Sequence, residues 1–172
     1  MKTLLRLAST AFRYRSTGCG PCGSGQAPRC ALHLRELPAD TRQLGVEFLP
    51  PRALAEPSHR GACRYRWQYA CGIWSLVEVI QVTHFACYSQ SEAGWRLSTV
   101  TGGVYGADEF EHWWDCPEAR IVPGRYYVNP RMSWVEAELS TSRGLWCFSG
   151  RTLGGVRVLA ESTMLHVGRL SS

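Results

Sequence analysis

Lysine is all but missing from this chain: of nineteen basic residues, only Lys2 is not an arginine. A GC-rich genome produces that bias without any demand for guanidinium chemistry, so it does not by itself mark a phosphate or carboxylate reader. Also missing is any stretch near the ~20 apolar residues that a membrane-spanning helix needs. The most apolar stretch, residues 73–88, is broken by Glu78, Gln81 and His84, which excludes an integral helical membrane protein. No internal repeat and no low-complexity tract is found.

Acidic residues are missing from one region only. Residues 1–35 hold six cations, Lys2, Arg6, Arg13, Arg15, Arg29 and Arg35, and no acid. The thirteen cations that remain meet fourteen acids, so residues 36–172 carry a net charge of −1. Any attraction to an anionic surface therefore comes from the arm, with Arg6, Arg13 and Arg15 as its candidate partner-binding residues. Residues 1–16 form an amphipathic helix if they form anything, with Leu4, Leu5, Ala8 and Phe12 on one side. Arg6 interrupts the apolar core that a secretory signal requires. A mitochondrial transit peptide and an arm that docks on a partner or on the body both fit the composition. A cytoplasmic or virion-assembly setting is the favoured location, with a mitochondrial one as the alternative.

What is present describes a globular body. The chain has 172 residues, 45% hydrophobic and 19% charged, with seven Trp and seven Tyr, enough for one domain with a real core. Two regions are expected: a basic, Cys- and Gly-rich arm over 1–35 and a β-rich domain over 36–172. Short β-rich runs separated by Gly, Pro and Asn turns place strands near 44–49, 64–70, 73–88, 95–101, 120–128, 133–140, 144–149, 155–160 and 164–169. Pro123-Gly124 and Gly154-Gly155 mark tight turns. The fold class is all-β: a single antiparallel β-sandwich or barrel of about 8–9 strands with one short helix. The 73–88 run reads as one bent central strand covered on both sides. Alternation over Trp134 to Leu139 puts Val135, Ala137 and Leu139 on one face, opposite Glu136 and Glu138. In Arg64 to Tyr69, two arginines oppose Tyr65, Trp67 and Tyr69, which face the core.

Four sets of residues bear on chemistry. Cys19-Gly20-Pro21-Cys22 is identical to the active-site motif of the thioredoxin family and to that extent resembles it. Redox work there needs a strand before the first cysteine and a helix after the second, and neither pattern flanks this motif. The same region offers Cys19, Cys22, Cys30 and His33 as two ligand pairs for Zn²⁺, against loop thiols or disulfide partners. Cys87 and Cys147 are expected as buried free thiols, while Cys63 and Cys71 could bridge only if the segment between them turns back.

The short helix, capped by Asp108 with Glu111, places Asp108, His112 and Asp115 on one face as a candidate metal or general-base cluster. The alternative is a helix cap with an acidic first turn and an exposed His112. Trp113 and Trp114 are a candidate pair for stacking on sugars or bases. His84 lies within a strand, where a structural role is the default. The stretch Thr83 to Cys87, then a turn to Gly94 and Trp95 to Ser98, resembles small Cys- and Trp-rich β proteins of bacterial and phage genomes, a likeness that carries no functional residue. These readings converge on a non-enzymatic interaction or assembly module, with a protein partner or a second copy of the chain engaged by its basic arm. The alternatives are a small hydrolase or metal-dependent enzyme at Asp108, His112 and Asp115, and a carbohydrate- or nucleic-acid-binding module.

Overall fold

The computed structural model describes residues 38–60, 62–92, 94–98 and 103–171. The Cys19, Cys22, Cys30 and His33 set and the arm residues Arg6, Arg13 and Arg15 lie outside the described residues. Ten strands follow: β1 (Leu44–Leu49), β2 (Arg52–Arg60), β3 (Cys63–Ser75), β4 (Ile80–Ser91), β5 (Gly94–Leu97), β6 (Val104–Gly106), β7 (Arg120–Ile121), β8 (Tyr126–Glu136), β9 (Ser142–Thr152) and β10 (Arg157–Leu170). One helix, α1 (Ala107–Trp114), and a 3₁₀ turn over Pro117–Ala119 lie between β6 and β7.

The strands form one continuous, open, mixed sheet in two layers. β8, β3, β1 and β2 make one layer; β10, β9 and β4, with β5, β6 and β7 along the far edge of β4, make the other. β1 and β2 lie end to end on the same edge of β3, β1 against residues 70–75 and β2 against residues 63–67. The cis Leu49-Pro50 peptide and Pro51 separate them, and β2 crosses there to pair with β10. That ladder, Leu165 with Arg52 through Leu170 with Ala55, is parallel, as is the Asp40–Val158 bridge; the remaining ladders are antiparallel. The all-β, sandwich-like architecture stands, with ten strands and one parallel pairing in place of a wholly antiparallel arrangement.

Several boundaries differ for physical reasons. The 73–88 run is two strands, because the chain reverses at residues 76–79, where the Ser75 hydroxyl donates to the Glu78 carbonyl. Pro57 falls past the stretch of β2 that β10 pairs, so it interrupts no ladder on that edge. The Pro-Gly turn forms, with Gly124 at φ +78° and the Arg125 N–H donating to Val122 O at 3.2 Å. It joins different neighbours, however: β7 pairs with β4 and β8 with β3. In β8, Met132 and Trp134 face the core and Ala137 and Leu139 are exposed. The large Trp134 ring, with the most apolar area to bury, sets the parity.

The core is aromatic. Phe85 of β4 stacks on Phe148 of β9 at 5.8 Å and 9°, and receives the edges of Phe110 and Trp114 from α1. Between layers, Trp146 Nε1 donates to the Tyr69 hydroxyl at 3.2 Å, and Trp67 Nε1 donates to Val167 O at 2.8 Å. As expected, Trp67 and Tyr69 are buried, Tyr65 packs on the core, and Arg64 and Arg66 lie opposite, Arg66 paired with Glu56. A smaller cluster of Ala86, Tyr88, Leu145 and Cys147 is covered by Trp95, Leu97 and Val104, so the centre of β4 is packed on both faces.

Candidate functional site

The helix of the candidate catalytic cluster starts two residues earlier than its sequence suggests. Gly106 is the N-cap, and Glu109, not Glu111, reaches back so that its Oε2 accepts the Gly106 N–H at 2.9 Å. Phe110 and Trp114, four residues apart, face the core. Their rings stack at 4.7 Å and 10°, and Trp114 Nε1 donates to Cys71 O at 3.0 Å. Trp113 packs against Phe85 and Tyr105. Trp114 is therefore buried and Trp113 half-buried against the core, so the two rings do not stand out together as a stacking pair.

Asp108, His112 and Asp115 are all exposed. Asp115 lies beyond the helix in the left-handed region, with φ +48°. Exposed side chains of this kind stay hydrated, which neither excludes water from them nor strengthens a charge. Among the described residues, no group of three or more His, Cys, Asp or Glu stands close enough to hold a metal ion.

The described cysteines form no disulfide. Cys87 and Cys147 are buried, as expected of strand thiols. Cys63 and Cys71 sit on one uninterrupted strand, about 26 Å apart along it, and cannot bridge. Burial pushes the Cys71 and Cys87 thiols up, and burial with the nearby Glu111 carboxylate pushes Cys116 up to about 11. These three thiols are protonated at neutral pH and are poor nucleophiles. His84 is exposed on β4 beside an irregularity in the β4–β9 ladder, and burial of part of its ring lowers its pKa.

One polar constellation is not legible from motif spacing. His166 of β10 is fully buried and stacked on Trp134 at 5.0 Å and 13°, with Trp67 and Tyr69 at 5.8 Å. Its Nδ1 meets Ser142 Oγ at 3.3 Å, and Ser142 Oγ donates to Glu136 Oε1 at 3.2 Å. A serine, a histidine and a carboxylate are thus brought together, but in the wrong order for nucleophilic catalysis. In a triad the carboxylate orients the imidazole, whereas here Glu136 accepts from the serine and does not contact the ring. Nε2 is left buried without a partner. Burial lowers the His166 pKa to about 4, so the ring is neutral at physiological pH. The sequence signal is parity: 158, 160, 164 and 166 are the buried even positions of β10.

Among the described residues, the most exposed large aliphatic side chains gather at one end of the sandwich. Ile80 pairs with both Thr152 and Ile121, which brings the β3–β4, β7–β8 and β9–β10 turns side by side. Leu76 (58% exposed), Val77 (69%), Leu153 (74%) and Val156 (54%) project there, with Val122 beside them. The chain joins the body at the same end. The Asp40 N–H donates to Arg157 O at 2.9 Å, and the Leu76 N–H donates to Gln43 O at 2.9 Å.

No family model matches the chain, and no curated protein matches it in sequence. Among solved structures, the crystal structure of a Bordetella pertussis protein provisionally named ApaA aligns at 12% identity. The alignment covers 74% of this chain and 96% of that one, with a TM-score of 0.44. At that TM-score the likeness carries no inference about this chain. No helix among the described residues is long and apolar enough to cross a membrane.

Proposed function

We propose that the chain is a non-enzymatic interaction module that docks the turn end of its sandwich onto a protein partner, with the basic arm of residues 1–35 engaging carboxylates of the same partner. The observation that carries this is the coincidence at one end of four strongly exposed aliphatic side chains and the point where the arm joins the body. Clustered exposed apolar groups are characteristic of docking surfaces. The arm's six cations, with no acid among them, add a salt-sensitive attraction at the rim of the contact. The inward-turned tryptophans and the solvated Asp108, His112 and Asp115 give the stacking and enzyme alternatives no comparable support.

The test places a photo-crosslinking residue at position 153, identifies the captured protein, and reconstitutes the purified pair. Leu153→Asp with Val156→Asp is expected to weaken affinity about tenfold, the loss of roughly 1.4 kcal/mol. Deletion of residues 1–35 is expected to weaken it at low salt and to flatten its salt dependence. An affinity that neither change moves, or crosslinks to copies of this chain alone, would overturn the proposal.

A further inference from the structure

We infer that the outer face of β1, β3 and β8 is a docking site for an arginine side chain presented by the partner. Two aromatic rings lie flat on the sheet there, each in a place only glycine leaves open. Trp74 of β3 reaches across Gly45 of β1, and Tyr126 of β8 reaches across Gly72 of β3; a β-carbon on either glycine would collide with the ring above it. The rings are 5.6 Å apart at 35°. The rings lie across the sheet rather than standing off it, with Tyr126 45% exposed and Trp74 half-buried. The Tyr126 hydroxyl donates to Glu47 Oε1 at 2.6 Å, which holds an exposed carboxylate at the tip of the ring. Arg42 pairs with Asp40, Arg66 with Glu56 and Arg120 with Glu118, and Glu47 takes part in none of these pairs.

Two π faces and a carboxylate without a cation make a patch of negative potential that is flat. A guanidinium fits both properties: it stacks on aromatic faces and gives planar N–H groups to a carboxylate. An ammonium is a compact, strongly hydrated charge that uses the stack less well. A phosphate-bearing ligand is repelled by Glu47, and a neutral sugar leaves its charge unused. The patch also continues the turn end, since Trp74 is two residues before Leu76 and Tyr126 four after Val122. The inference rests on the interaction-module reading and names one chemical feature of its partner.

The probe is a capped peptide bearing two arginines, titrated into the full chain at low ionic strength and followed by calorimetry and tryptophan emission. Its counterparts carry lysine or citrulline, the latter a neutral isostere. The arginine peptide is expected to bind about fivefold more tightly than the lysine peptide and more tightly still than the citrulline one. Glu47→Gln and Tyr126→Ala are each expected to cost about fivefold, while Tyr126→Phe keeps the stack and most of the affinity. Equal binding of arginine and citrulline peptides, no effect of Glu47→Gln, or preferential binding of cellohexaose or a thymidine oligonucleotide would overturn it. Glu47 is a surface side chain, so its variant folds and decides the matter even if Tyr126→Ala does not. Partner docking at the turns that survives Glu47→Gln would overturn the arginine site alone. Arginine binding by a chain with no partner at position 153 would overturn the module reading alone.

Discussion

Residues 106–116 and residues 151–157 make an instructive pair. The first stretch gathers two aspartates, two glutamates, a histidine and two tryptophans; the second, Arg-Thr-Leu-Gly-Gly-Val-Arg, holds nothing reactive. In the fold their importance is reversed. The helix spends its aromatics on the core and Glu109 on its own N-cap, and leaves Asp108, Glu111 and His112 exposed to water. The turn needs only Gly155 at φ +81° to close, and its leucine and valine are free to project. Residue chemistry alone ranks the two stretches wrongly because reactivity requires enclosure, and docking requires only apolar area that folding leaves unused.

Breaking the helix's structural role should produce the largest effect. Trp114→Ala removes the ring stacked on Phe110 and the hydrogen bond to the Cys71 carbonyl, and is expected to cost about 3–5 kcal/mol in urea unfolding. A cost under about 1 kcal/mol would mean that the helix is an appendage rather than part of the core.

Next is the buried histidine. The His166 pKa falls from its ordinary 6.5 to about 4 in the fold, so the unfolded chain takes up a proton that the folded chain refuses. Stability is therefore full above pH 6.5 and falls as the pH drops from 6.5 to 4, by up to about 3 kcal/mol. His166→Phe should remove that part of the slope in pH-dependent melts, while carboxylate contributions remain.

The turn end should respond in the opposite way. Leu153→Ser with Val156→Ser is expected to change stability by less than about 0.5 kcal/mol while still impairing partner docking. Smallest of all, Asp108→Asn and His112→Gln should leave both stability, within about 0.5 kcal/mol, and docking unchanged. Any catalytic activity lost in those two variants would restore the helix as the functional region and reverse the comparison.

What the sequence made legible was local. Period-two alternation in Arg64 to Tyr69 identified the inward face of β3, and the Pro123-Gly124 and Gly154-Gly155 turns formed where their backbone chemistry requires. What was hidden depended on partners distant along the chain. Pro57 marks β2 as a connection until one knows that β10 pairs only its first half. Val135 and Trp134 offer opposite choices of buried face, settled by the stack of Trp134 on His166 thirty-two residues away. The helix start moved because a glycine N-cap is held by Glu109 rather than by a side chain of its own. Glu136 and Ser142 meet across the short β8–β9 connection, but only the β9–β10 ladder, with Ser142 opposite His166, brings the histidine to them.

The parallel pairing of β2 with β10 has a consequence for how the chain is made. Each hydrogen-bonded ladder between the two layers runs through β10, by way of β2 or the Asp40 bridge. Until residues 157–170 have been made, no ladder can join the two layers, and the edges that β10 covers stay open. Closure of so distant a pair is slow, and those exposed edges are where nascent chains aggregate. β10 therefore acts as a fastener, and the union of the two layers waits on it.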